Sequence, residues 1–499
     1  MHAVGIDSGT QGTKALVVDA ESGRVVGRGA APHAMIAGLP PGASEQDPAV
    51  WLTALEAALR AALKDAKASP AAVVSLGVSG QQHGFVPLDA DGRPLRPAKL
   101  WNDTSTVAET EELRAKLGGH DAYREKLGIS LAVGFTASKI LWLKKNEPER
   151  FRRLARVLLP HDFLNFVLTG VARMEYGDAS GTGLMDVRNR RWHPEAVAAV
   201  DPRLADALPE IAHPSLPLGY LKPEIASRFG FKKVLVSSGG GDNMMGAIGT
   251  GNVSTGVCTL SLGTSGTIYS YSAEPFSDPR GEIAVFCDST GGWLPLLCTM
   301  NVTNATELYK SLLGGISNEE LERLAADAPA GASGLVFLPF VDGERVPALP
   351  DASAAFIGLN RAAFGRSPMA RAVLEGAILN LGYGFGRLKE LGLRPAEIRA
   401  TGGGAKSRLW LQIVADVFRT PVVTLQEQEA AAFGAALQSI WAWRREKGED
   451  VSIPGLAERM VVKGRDSFLP DPGRSELYRE TQDRFNALWR RLAPVFERP

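Results

Sequence analysis

Short apolar runs broken by glycine turns open the chain and return after residue 256. Ala3-Val-Gly-Ile-Asp7 and Lys14-Ala-Leu-Val-Val-Asp19 predict paired strands, and Arg24-Val-Val-Gly extends the meander beyond the turn at Glu21-Ser22-Gly23. The period then changes. Leu52, Leu55, Leu59 and Leu63 share one helical face, with Asp47 as cap and Pro48 at the first position. Val73 to Val78 predicts a buried strand that delivers the polar loop Ser79-Gly-Gln-Gln-His-Gly84. Leu100-Trp-Asn-Asp103 ends a further strand. Gly134 to Asn146 leads into a helix, Pro160 to Gly170 is another, and Tyr176 to Gly183 is a loop of small polar residues. These form a helical insert covering the first sheet.

The segment Val234-Leu-Val-Ser-Ser-Gly-Gly-Gly-Asp-Asn-Met-Met-Gly-Ala-Ile-Gly249 joins a strand, a glycine turn and a helix start. Gly239, Gly240 and Gly241 leave backbone bare, so a ligand can approach the main chain. Such a junction aims N–H groups at an anion. Asp242 at its mouth could take a proton from a substrate hydroxyl. The alternative is that Asp242 only caps the helix.

The second half repeats the opening. Val257 to Leu262 and Ile268-Tyr-Ser-Tyr are strands around Gly263-Thr-Ser-Gly-Thr267, which restates the Gly-Thr-x-Gly-Thr turn of residues 9–13. Two such turns, each opening one half, predict a duplicated domain. Leu338-Pro-Phe-Val-Asp-Gly-Glu-Arg345 is a polar turn, and Arg371 to Gly382 a buried helix. Ile398 to Thr401 runs as a strand into Gly402-Gly-Gly-Ala-Lys-Ser407, followed by a helix from Leu409 to Phe418. That bare backbone suits the flat face of a nucleotide base and ribose. Pro421-Val-Val-Thr-Leu is a strand, Glu429-Ala-Ala-Ala-Phe-Gly-Ala-Ala-Leu a helix made for close packing, and Ser475 to Phe496 an amphipathic helix.

Composition narrows the function. A chain of 499 residues implies at least two domains. Acidic and basic residues balance at 55 each, which leaves no field to hold nucleic acid or an anionic membrane. Three cysteines without metal-ligand spacing argue for a reducing compartment. No leader pattern and no membrane-length apolar run is present. The expectation is a cytoplasmic protein acting on something small, and a homodimer is allowed.

Several residues then become candidates. Amides of the Ser8–Thr13 turn, with Thr10 and Thr13, could hold a phosphate, and Asp7 at the strand end could bind Mg²⁺ through water. The turn is neither a P-loop nor a GxGxxG fingerprint. His83 beside Gln81 and Gln82, between two glycines, suits a site that reads hydroxyls. Trp101 and Asp103 either wall the same pocket or form a plain turn with a packed Trp.

Taken in order, the residue 7–14 turn, the Gly134–Asn146 segment, the Asp242 collar, the 263–267 turn and the 402–407 glycines resemble the FGGY family of carbohydrate kinases. A second signature, Ala354-Ala-Phe-Ile-Gly-Leu359 with Met369 to Glu375, fits less closely, and Pro368 stands where a polar residue is usual. The resemblance implies an α/β fold of two actin-like ATPase (ribonuclease H-like) domains, each a mixed sheet flanked by helices, with a cleft between them. Residues 1–249 would bind sugar and carry the base, and residues 250–499 would bind nucleotide. The likeness is greatest to the branch that phosphorylates D-xylulose, on Gly80-Gln-Gln-His-Gly84, Leu100-Trp-Asn-Asp103 and Leu338 to Arg345, although that branch commonly has Met where Gln82 stands. It implies Asp242 as base and Gln82, His83, Trp101, Asp103 and Asn243 around the sugar. It implies Thr10, Gly12, Thr13, Gly263 and Thr264 on the phosphates of ATP, Gly403, Gly404 and Ser407 on the adenosine, and Asp7 on Mg²⁺. Ribulose, gluconate or glycerol kinases of the same family are alternatives. Outside that class stand an actin-like ATPase without a sugar acceptor and a sugar sensor without turnover.

Overall fold

The structure, a computed structural model, describes residues 1–496. Two seven-stranded mixed sheets organise it. The first contains β1 (His2–Ser8), β2 (Gly12–Asp19), β3 (Val25–Pro32), β4 (Val73–Gly80), β5 (Gly219–Tyr220), β6 (Leu235–Val236) and β7 (Gly240–Gly241). Their order is β5-β6-β4-β1-β2-β3, with β7 paired to the end of β4. The second contains β8 (Val257–Leu262), β9 (Gly266–Ser270), β10 (Ala284–Cys287), β11 (Trp293–Thr299), β12 (Glu397–Thr401), β13 (Val422–Leu425) and β14 (Lys463–Phe468), in the order β10-β11-β9-β8-β12-β13-β14. The two share a plan. β1 is antiparallel to β2 and parallel to β4, which is parallel to β6. β8 is antiparallel to β9 and parallel to β12, which is parallel to β13. The duplication expected from the two Gly-Thr turns is therefore present: each turn is the hairpin at the head of one sheet.

Helices flank both sheets. α1 (Pro48–Ala66) starts as its pattern predicts: the Asp47 side chain accepts from Ala49 N at 2.9 Å. Its buried face, Trp51, Leu55, Leu59 and Leu63, shares one core with Val4, Ile6 and Val17 of the first sheet. α2 (Thr136–Asn146) and α3 (Pro160–Thr169) follow, the latter closed by Gly170 in the left-handed conformation. Tyr176 to Gly183 is not an open loop. It forms a helical turn, Tyr176–Ala179, then a 3-10 turn, Ser180–Thr182, because the buried Glu175 carboxylate accepts from Gly177 N and Asp178 N. An apolar repeat could not reveal a helix built on one cap and small residues.

α4 (Asp242–Thr250), α5 (Arg366–Glu390), α6 (Arg408–Phe418), α7 (Ala430–Glu446) and α8 (Pro472–Phe496) complete the frame. α7 crosses from the second half to lie on β1, β4 and α4. Its small residues make that crossing possible. A Cβ on Gly434 would stand 1.8 Å from Met245 O, and one on Gly5 would stand 1.8 Å from Ala432 O. Among the described residues no helix is long and apolar enough to cross a membrane.

Candidate active site

The parallel register builds the site. Asp7 on β1 lies opposite Ser79 on β4, and Ser79 lies opposite Gly240 on β7. The carboxyl ends of three neighbouring strands thus bring Asp7, the Gln81–His83 loop and Asp242 to one edge, where open α/β sheets hold ligands. Glycine is required for this approach: a Cβ on Gly241 would stand 2.5 Å from Gln82 Cγ. Gln438 of α7 fixes the collar from below, accepting from Gly239 N at 2.8 Å and donating to Gly239 O at 3.0 Å.

Asp242 is not the helix cap. Gly241 occupies that position, and Asp242 is the first helical residue. Its Oδ1 accepts from Asn243 N at 2.8 Å and from Asn243 Nδ2 at 3.2 Å, while the carboxylate lines an interdomain cavity of about 400 Å³. Burial, then the negative charge of Asp7, pushes its carboxyl up to about 7. That value suits a group that accepts a proton near neutrality. Asp7 is also raised, by burial, against a hydrogen bond from Ser79 Oγ at 2.8 Å.

Gln82 and His83 line the same cavity. Gln82 Oε1 accepts from Asn243 Nδ2 at 2.7 Å, while its buried Nε2 has no partner among the described residues. His83 adopts φ 61°, and its ring lies against Phe135 and Phe286, with centroids at 4.6 and 5.6 Å. Burial, then the nearby Lys139 charge, lowers its imidazole to about 3, so it is neutral, and Nδ1 is buried against Gly181, where a Cβ would stand 2.3 Å from it. A free amide donor and a neutral imidazole ring in one cavity are groups that can read hydroxyls. Trp101 walls the cavity and donates from Nε1 to Thr10 Oγ1 at 3.0 Å.

Asp103 requires a correction. It is fully buried away from the cavity, and its carboxylate is filled by Ser44 N, Lys99 Nζ, Ser105 N and Ser105 Oγ. It shapes the Trp101 turn and has no free oxygen for a sugar. Lys139, which sequence reasoning passed over, matters more. It is fully buried, bonds Gly134 O, and donates to His83 O at 2.8 Å, where Thr136 Oγ1 also donates at 3.2 Å. Burial lowers its ammonium to about 7. A lysine inside an otherwise apolar helix face was the available signal.

The second Gly-Thr turn reaches the cavity directly: Gly263, Ser265 and Thr267 line it with Asp242, as does Ser261 of β8. In the first turn Gly9 N bonds Gly12 O at 3.0 Å, and the buried Thr13 Oγ1 donates to Ser8 Oγ at 3.3 Å, so its hydroxyl is already engaged. Residues 403–406 differ from the Asp242 collar, forming a 3-10 turn rather than a strand end. Gly404 is packed against Leu262 and Trp410, Gly403 faces open space, and Ser407 Oγ caps α6 by accepting from Trp410 N at 3.1 Å.

Comparison with known proteins places this geometry. The sequence matches the N-terminal domain of the FGGY family of carbohydrate kinases over residues 2–249 and the C-terminal domain over residues 258–443. The chain belongs to the FGGY family of carbohydrate kinases. It is 49% identical over 446 residues to a xylulose kinase from Haemophilus influenzae, covering 88% of this chain and 90% of that one. It is 35% identical over 500 residues to one from Escherichia coli, covering 99% of each. A solved xylulose kinase from Rhodospirillum rubrum superposes with a TM-score of 0.90 at 29% identity, over 100% of both chains. The fold is accordingly the actin-like ATPase fold of FGGY kinases, enzymes that use ATP as phosphate donor.

Proposed function

We propose that the chain transfers the γ-phosphoryl group of ATP to the terminal hydroxyl of D-xylulose, giving D-xylulose 5-phosphate and ADP. The observation that carries this reading is one cavity that holds Asp242, the unpartnered amide of Gln82, the His83 ring and residues of the Gly263–Thr267 turn. The likeness to xylulose kinases supplies the sugar. Residues 1–249 provide the sugar side and the base, and residues 250–499 the nucleotide side, apart from α7, which lies on the first sheet.

Phosphoryl transfer needs alignment and charge neutralisation more than covalent chemistry. Gln82 Nε2 and the His83 ring orient the sugar, with Trp101 and Asn243 beside it. Asp242 holds the terminal hydroxyl and takes its proton as the O–P bond forms and the bond to the ADP oxygen breaks. Amides of the Gly9–Thr13 and Gly263–Thr267 turns, with Thr10 and Thr264, receive the phosphates, and the open backbone at Gly403 receives the adenosine. Among the described residues no cluster of three or more His, Cys, Asp or Glu could hold a metal ion. Mg²⁺ needs only one or two carboxylates beside the phosphates and water, and Asp7, with one oxygen bonded to Ser79, fits that demand. Bound there, the ion offsets charge on the transferring group. Closure of the two lobes excludes water and limits ATP hydrolysis. Three free cysteines support a cytoplasmic placement.

A coupled ADP assay across ketoses, aldonates and polyols tests the proposal. D-Xylulose should give the highest kcat/KM. ADP formation independent of sugar, or preference for gluconate or glycerol, would overturn it.

A further inference from the structure

The segment Leu338 to Arg345 carries sequence likeness but no role so far. Its backbone is held rigidly. The buried Glu344 carboxylate accepts from Met300 N and Arg345 N, both at 2.7 Å, and from Asn380 Nδ2 at 2.9 Å. Asn301 Nδ2 donates to Gly343 O at 2.7 Å. Val346, on the other side, is buried and lines the interdomain cavity. Between these fixed neighbours Arg345 also lines the cavity, yet among the described residues its guanidinium has no hydrogen bond and no ion pair. The other arginine of the lining, Arg114, is paired with Glu111.

The Arg345 side chain is exposed on a fixed backbone, so its guanidinium can donate to a ligand without first breaking another contact. Arg345 shares the lining of this cavity with Gln82 and His83. Arg345 comes from the second lobe, whereas Gln82 and His83 come from the first. We propose that Arg345 is a specificity-determining residue that donates to oxygens of the bound sugar from across the cleft, so that sugar binding itself draws the lobes together. The ligand is a neutral polyhydroxy ketose, whose hydroxyl and carbonyl oxygens accept from the planar fork without any need for a negative charge. This rests on the sugar-kinase reading above and adds a contact that the first lobe cannot make.

The test is steady-state kinetics of Arg345→Met and Arg345→Lys in the full chain, with melting temperature as control. A charged donor to a hydroxyl acceptor is worth about ten- to a hundredfold in affinity. Arg345→Met should therefore raise KM for D-xylulose by about that factor. KM for ATP and the melting temperature should stay near the parent values. Arg345→Lys should restore only part of the sugar affinity, since a point charge lacks the fork. A sugar KM within twofold of the parent overturns the proposal. So does a fall in kcat with both KM values unchanged, which would place the cation on the transferring group. A parent enzyme that forms no ADP in response to sugar would instead overturn the proposed function.

Discussion

Asp242→Asn separates chemistry from folding. The substitution keeps the size of the side chain, and the Asn oxygen can still accept from Asn243 N, so the collar and the sugar surface keep their shape. What disappears is a carboxylate that titrates at about 7. General-base assistance contributes about 10²–10⁴-fold, or about 2.7–5.4 kcal/mol in the barrier. Turnover should fall by that factor, while the dissociation constant for D-xylulose, measured by calorimetry, changes little. The parent's kcat/KM should decline about tenfold per pH unit below about 7, since the base must be ionised. Stability should move the other way. The folded protein holds the Asp242 proton more tightly than the unfolded chain, where the value is near 3.8. Stability is therefore lost as pH rises from about 4 to about 7 and stays reduced above that window. Removing the charge should return about 2–4 kcal/mol at pH 8 and less at pH 5, read as a melting temperature a few degrees higher. A variant with near-normal turnover would remove Asp242 from the base role. A variant that is inactive and less stable at pH 8 would mean that the carboxylate has a structural role instead.

Other substitutions probe the remaining parts. His83→Ala should raise KM for D-xylulose about tenfold and leave KM for ATP unchanged, because a polar ring wall of the cavity is lost; a change confined to ATP would misplace the sugar pocket. Asp7→Asn should raise the Mg²⁺ concentration that gives half-maximal activity, and a chelator should abolish turnover of the parent enzyme; an unchanged Mg²⁺ dependence would remove Asp7 from the metal. Gly434→Val should destabilise the fold by about 3 kcal/mol or more, since even its Cβ would lie 1.8 Å from Met245 O; a normal melting temperature would show that the α4–α7 crossing can spread.

Much of this architecture could be read from local pattern. Period-two runs around Gly9–Thr13 and Gly263–Thr267 gave the paired hairpins, and the apolar face with the Asp47 cap gave α1. The Asp242 collar was legible because strand, bare glycine and helix start are adjacent in the chain. What could not be read is what long-range pairing decides. Glycine and alanine in α7 announced a close approach, but nothing local names Gly5 and Met245 as the partners. Asp103 resembled a pocket residue, and only the folded chain shows its oxygens filled by Ser44, Lys99 and Ser105. Lys139 lies in a segment singled out for its signature, yet its bond to His83 O spans 56 residues of sequence.

The most direct measurement is a crystal structure of the chain with D-xylulose and a non-hydrolysable ATP analogue. The account predicts the sugar's terminal hydroxyl about 2.6–3.2 Å from an Asp242 oxygen, with the γ-phosphate between the turns at residues 9–13 and 263–267. A sugar seated away from Gln82 and His83, or an Asp242 carboxylate turned from the phosphate, would contradict it.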